Sequence, residues 1–320
     1  MDVIPRYLSP VSIIPGGCPQ FLDFAIPEEA VKRLRRYFRE EKKKEADEQT
    51  RYTHYLRCLT ETENGFIDQL SGQHCDEDYS VEAKRALDAW EGHWLPIPFL
   101  RTLDQPWPDG GKRFECGPSN WARARVMRSD KHPGQLRVVL MFDTNVEDRP
   151  AEGEQYHALS PQDVTAHGHF MLAHLVRDNS WFLNAAWVDE WLYGLYDGWK
   201  QSQHKGRGAW HENYPYVLEH LAFYLTWLEV VRLSISDLAA QVINPDRDTP
   251  VDVDLVLDIG NSRTTGILVE TLPQRITNLN DSYLLELRDL SQPEHIYADP
   301  FETRVEFVDA AFGKIGRAHV

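Results

Sequence analysis

Apolar and polar positions alternate strictly between residues 251 and 259. Val251, Val253, Leu255, Leu257 and Ile259 fall on one side, and Asp252, Asp254, Val256 and Asp258 on the other. A period of two predicts a strand with one strongly buried face. Residues 266–270, Gly-Ile-Leu-Val-Glu, are β-prone as well, with the polar run Gly260-Asn261-Ser262-Arg263-Thr264-Thr265 between the two. The pattern predicts a β-hairpin with a tight polar turn.

Earlier in the chain the pattern predicts a mixed α/β architecture, with an α+β unit over residues 1–241. Residues 11–26 read as two short strands around Pro15-Gly16-Gly17. Pro27 suits the first turn of a helix running through residues 28–48. There Lys32, Arg33, Arg35, Arg36, Arg39 and Lys42 to Lys44 interleave with seven acids. A solvated helix face with i,i+4 pairs explains this run better than a patch for an acidic partner. Residues 94–111 hold four prolines and paired glycines and read as an irregular loop. Residues 135–144 read as a buried strand. Ser160-Pro161-Gln162-Asp163 is a helix start. Trp187, Trp191 and Leu195 form a helical stripe, the signature of a core face rather than a ligand cage. Residues 214–238 read as one long helix with an apolar stripe through Leu218, Leu221, Ala222, Leu225, Leu228 and Val231. Residues 242–250, with two prolines, read as a linker.

Composition narrows the function. A formal charge of −16 argues against nucleic-acid binding and against adhesion to anionic membranes. The 320 residues are 42% hydrophobic and can bury a proper core. Cys18, Cys58, Cys75 and Cys116 form no C-x-x-C and read as free thiols of a reducing compartment. The N-terminus lacks a signal-peptide pattern, and residues 222–233 are too short to span a bilayer. The expectation is a cytoplasmic protein without membrane insertion. His167, His169, His174, His211 and His220 lack the spacing of H-E-x-x-H, which disfavours a metal role for them.

The hairpin turn carries the candidate chemistry. Gly260 permits close backbone approach and unusual φ, and consecutive N–H groups in a tight turn can converge on an anion. The Ser262, Thr264 and Thr265 hydroxyls are short donors, and Arg263 could add charge. Asp258 is placed to orient water on a magnesium ion. Neither G-x-x-x-x-G-K-[ST] nor G-x-G-x-x-G is present here. On pattern alone, a plain hairpin with a polar turn competes evenly.

DIGNSRTTGILVE resembles the phosphate-1 motif of the actin/Hsp70 and sugar-kinase ATPases, Asp-x-Gly-[Thr/Asn]-[Thr/Ser]-x-[Thr/Ser]. Asp258, Gly260, Asn261, Ser262 and Thr264 match it position by position. Together with VSIIPGGCPQFLDF and LRDLSQPEHIYADPFETRVEFVDAAFG, the hairpin is similar to segments of the SrfB family, large bacterial proteins labelled virulence factors. The resemblance implies an actin/Hsp70-like (ribonuclease-H-like) ATPase domain that begins at residue 251, incomplete by residue 314. It implies ATP and Mg²⁺ as ligands, with Asp258 on the metal and Asp258, Gly260, Asn261, Ser262, Arg263 and Thr264 about the phosphates. The parent would then be an ATP-binding regulator or assembly factor, with ATP hydrolysis left open, and this stretch alone would bind ATP poorly or not at all. Two alternatives stay open. One is a non-catalytic scaffold docking an unknown protein partner. The other is a small-molecule kinase, because DIGNSR also resembles the opening motif of type III pantothenate kinases, where it lies near the N-terminus.

Residues 315–320, Ile-Gly-Arg-Ala-His-Val, are what ATCGGAAGAGCACACGTC encodes, a string resembling a common sequencing adapter. The natural frame is therefore expected to continue past Lys314. Genomic DNA read beyond that codon should show a long open frame with a second Asp-x-Gly loop; a stop codon directly after Val320 would contradict the expectation.

Overall fold

Two features set the architecture: long antiparallel pairings between distant strands, and one helix enclosed on nearly every side. A computed structural model describes residues 10–44, 52–129, 132–148, 157–160, 162–163, 168–204, 215–235, 237–244, 252–260, 262–271, 278–289, 295–297, 300–302, 306–307 and 318–319. The fold is mixed α/β, with several sheets and, among the described residues, five α-helices. The chain divides into two compact units, Met1–Asn244 and Pro245–Val320.

In the first unit Val11–Ile13 and Gln20–Pro27 are both strands, but they do not pair with each other. Val11–Ile13 runs parallel to Ala240–Val242 in a five-stranded sheet completed by Phe170–Leu172, Phe99–Leu103 and Arg113–Phe114. Gln20–Pro27 pairs antiparallel with Gln135–Phe142, which pairs with Ala122–Arg128 and then Leu95–Pro96. The strand expected over 135–144 is thus central in its sheet. The expected loop 94–111 contributes strands to both sheets at its start, where Leu95 to Leu100 are all buried, and is irregular over residues 104–111. Its prolines sit where no ladder N–H is needed. Val242, expected in the linker, closes the first sheet and is buried.

The charged run after Pro27 departs most from expectation. Of residues 28–48 only Glu28–Val31 is helical, and Arg35–Lys44 is a ten-residue strand; residues 45–48 lie outside the described ones. That strand is held on both sides, by Tyr52–Thr62 and by Tyr79–Glu82, in a third sheet continued by Gly65–Asp68 and His74–Cys75. Glu, Lys and Arg favour helix only weakly, and double-sided pairing that buries Phe38 overrides the preference. The charges pair across strands rather than at i,i+4. Arg57 holds Glu41 at 3.1 Å, and Lys42 lies over the Tyr52 ring at 4.2 Å.

Helix Glu219–Ile235 is shorter than the predicted 214–238, and thirteen of its 17 residues are buried. An all-round apolar surface makes it a core helix rather than one with a single stripe. It packs against helices Ala83–Trp90 and Ala186–Gln203 and against strands of two sheets. Its start is fixed from the third sheet: the Glu40 carboxylate accepts the N–H groups of Val217 at 2.8 Å and Leu218 at 2.6 Å. On Ala186–Gln203 the buried residues are Val188, Leu192 and Tyr196, one position on from the expected stripe. Trp187 and Leu195 flank that face and pack against the core. Ser160 and Asp163 exchange hydrogen bonds as a helix start requires, and Asp163 also pairs with the buried Arg101.

Glu40 and Glu41 are neighbours with different work. Glu40→Ala removes acceptors from two N–H groups at a buried helix start and should lower stability by about 2 kcal/mol. Glu41→Ala removes a partly exposed ion pair and should cost below about 1 kcal/mol. Chemical denaturation of both variants checks this, and equal losses would contradict the register.

Candidate functional site

In the second unit, Asp252–Ile259 and Arg263–Thr271 form the antiparallel hairpin that the alternation predicts, in register from Asp252 opposite Thr271 to Ile259 opposite Thr264. Ser282–Leu284 extends the sheet beyond the second strand, and Phe301–Glu302 pairs with Arg263 and Thr264. The turn is closed by the Gly260 N–H, which donates to the Arg263 carbonyl at 2.9 Å.

Gly260 is required there by closeness. A Cβ at this position would stand 2.7 Å from the Arg263 carbonyl oxygen, and φ is not positive. The expectation of an unusual φ is therefore corrected, while close backbone approach holds. Gly266 has a similar role that the sequence reading missed. Its added Cβ would meet Leu285 Cδ2 at 2.8 Å and Leu257 Cδ2 at 2.9 Å. The signal was available: a glycine inside a strand marks close approach of a neighbour.

Of the site residues expected from sequence, Asp258, Gly260, Ser262, Arg263 and Thr264 all lie at this end of the hairpin, and Asn261 lies outside the described residues. Asp258, Ser262 and Arg263 are exposed, and Thr264 is half-buried. The register separates some of them. Asp258 stands opposite Thr265, whereas Thr264 stands opposite Ile259, so Asp258 and Thr264 project from opposite faces. Asp258 shares its face with Asp254, which accepts the Thr271 hydroxyl at 3.0 Å.

The face expected to be strongly buried is open. Val253, Leu255 and Leu257 are each about half exposed, and Ile259 is 71% exposed. All eight residues of this strand are exposed, so the expected difference in burial between its faces is not found; on the apolar face Leu285 reaches in beside Leu257 and Gly266. Asp252–Ile259 is also a sheet edge, paired on one side alone.

Among the described residues no three His, Cys, Asp or Glu side chains converge as a ready metal site. No described helix is long and apolar enough to cross a membrane. All four cysteines are free.

A family model described as virulence factor SrfB matches residues 1–319. The chain belongs to the SrfB family. No curated protein and no solved structure matches it. Membership covers both units of this SrfB chain, so the charged strand, the buried helix and the hairpin all belong to the family's matched region.

Gly266→Val tests the hairpin's packing. Overfilling the gap between Leu257 and Leu285 should cost about 1–3 kcal/mol and speed amide exchange across 252–271. Unchanged exchange would show that the close contact is absent.

Proposed function

We propose that the hairpin of this SrfB chain is the first phosphate loop of a nucleotide site that binds ATP with Mg²⁺. The observation that carries the reading is the turn itself. An exposed carboxylate, Asp258, ends one strand, a glycine backbone approaches within hydrogen-bond distance of the next strand, and Ser262 and Arg263 stand exposed beside it. The match of Asp258, Gly260, Ser262 and Thr264 to the phosphate-1 pattern of the actin/Hsp70-like ATPases supports the same assignment.

The residues fit the ligands. Mg²⁺ commonly rests on one or two carboxylates, water and phosphate oxygens, so a lone Asp258 suffices. The ion would supply charge neutralisation for phosphoryl transfer. The chain's part is to orient that ion through Asp258 and to offer hydroxyl and guanidinium donors from Ser262, Thr264 and Arg263. With Asp258 and Thr264 on opposite faces, the two would grip the phosphates from either side of the turn. One loop makes one wall of a site, so the groups that hold the nucleoside must come from elsewhere in the natural protein. ATP as ligand implies a cytoplasmic setting.

A second reading has its own observation. The open apolar face of Val253, Leu255, Leu257 and Ile259 favours a scaffold whose hairpin docks a protein partner. Asp258→Ala separates the two. In the complete protein encoded by the natural gene, the nucleotide reading predicts that Asp258→Ala weakens MgATP binding by roughly 10–100-fold, with thermal unfolding unchanged. Titration calorimetry measures it. Absence of MgATP binding in the unaltered protein, or equal binding by both, would favour the scaffold.

A further inference from the structure

The first unit contains a cavity of about 430 Å³ whose lining is basic in a chain whose formal charge is −16. Five parts of the chain build it. Arg33 to Tyr37 enter from the end of the short first helix and the charged strand, and Leu59 to Glu61 from the neighbouring strand. Gln69 comes from the turn after Gly65–Asp68, His174 from the segment after Phe170–Leu172, and Glu229 and Arg232 from the buried helix.

The guanidinium groups differ in how they are balanced. Arg232 is matched by Glu229 at 2.6 Å, and Arg35 pairs with Glu82 at the rim. Among the described residues Arg36 meets neutral acceptors alone: one Nη donates to the Leu225 carbonyl at 3.3 Å and the other to Gln69 Oε1 at 3.2 Å. These bonds fix the guanidinium without cancelling its charge. Arg33 has no hydrogen bond or ion pair among the described residues. Glu61, the second acid of the lining, accepts the Tyr37 hydroxyl at 3.0 Å. His174 adds an imidazole that burial pushes below its usual value; Glu229 opposes this shift, and Arg232 and Arg36 reinforce it.

Two guanidiniums without carboxylate partners, one of them clamped by neutral groups, make a receptor for a planar or tetrahedral oxyanion. We propose that this cavity binds a small dianionic oxyanion, a phosphomonoester or a dicarboxylate, held by Arg33 and Arg36 with Arg232 and His174 beside them. The site lies wholly within the first unit and does not depend on the nucleotide reading of the hairpin.

Calorimetric titration of the whole chain with inorganic phosphate, and separately with succinate, tests it. Saturable one-to-one binding of either ion is expected, and which one binds more tightly names the ligand's head group. Arg33→Gln should weaken it roughly tenfold, the worth of one charge-assisted contact. Arg33 is exposed, so the variant should fold normally. Arg113→Gln removes an equal charge outside the cavity and should leave affinity unchanged. Absence of saturable binding to both ions, or equal losses in Arg33→Gln and Arg113→Gln, would overturn the proposal.

Discussion

A helix buried on nearly every side constrains the first unit more than any other element. Enclosing Glu219–Ile235 removes nine large apolar or aromatic side chains from water, each worth about 1.5–3 kcal/mol where fully buried. It also strands the polar groups that come with them, and each needs a partner. The Tyr224 hydroxyl donates to the Pro96 carbonyl at 2.6 Å, and the Thr226 hydroxyl to the Ala222 carbonyl at 2.8 Å. Buried Glu219 is met by Lys200 at 2.9 Å and by the Tyr196 hydroxyl, and His220 by Asp189 at 2.6 Å. Apart from Ala222, which lies in the same helix, these partners come from a strand and a helix elsewhere in the chain, so enclosing one helix ties the unit together. The aromatic cluster of Phe99, Trp121, Phe142 and Phe170 joins two of the sheets by the same logic, with ring centroids 5.0–6.2 Å apart.

How much of this was legible depended on where each segment's energy comes from. Gln135–Phe142 and the hairpin were legible because their own side chains declare the period. The strand Arg35–Lys44 was not, because eight of its ten residues are charged and its stability comes from partners on both sides. Phe38 is its single fully buried side chain, too little to mark a face. The prolines of residues 94–111 suggested a loop, and residues 104–111 are irregular, yet Pro96 falls in a short edge strand and Pro98 between two strands. Glu40 looked like one surface charge among many. Its use as acceptor for the start of a helix almost 180 residues later is a tertiary fact with no local trace.

The second unit contrasts with the first. Its strands form the predicted hairpin, but the apolar face is half exposed, and Asp258, Ser262 and Arg263 at the turn stand open to solvent. An open turn with a carboxylate and hydroxyls at its tip suits a ligand-binding edge better than a self-sufficient core. Sequence supplied the identity of those residues; the structure added that Asp258 and Thr264 face opposite ways and that Gly260 and Gly266 are there for closeness.

The central claim, that this turn of the SrfB chain meets nucleotide phosphates, is tested most directly by amide hydrogen exchange of the complete natural protein with and without MgATP. The account predicts that protection rises at residues 258–265 on nucleotide addition, because bound phosphate restrains the turn and the strand ends that open with it. Exchange at those residues unaltered by saturating MgATP would contradict it.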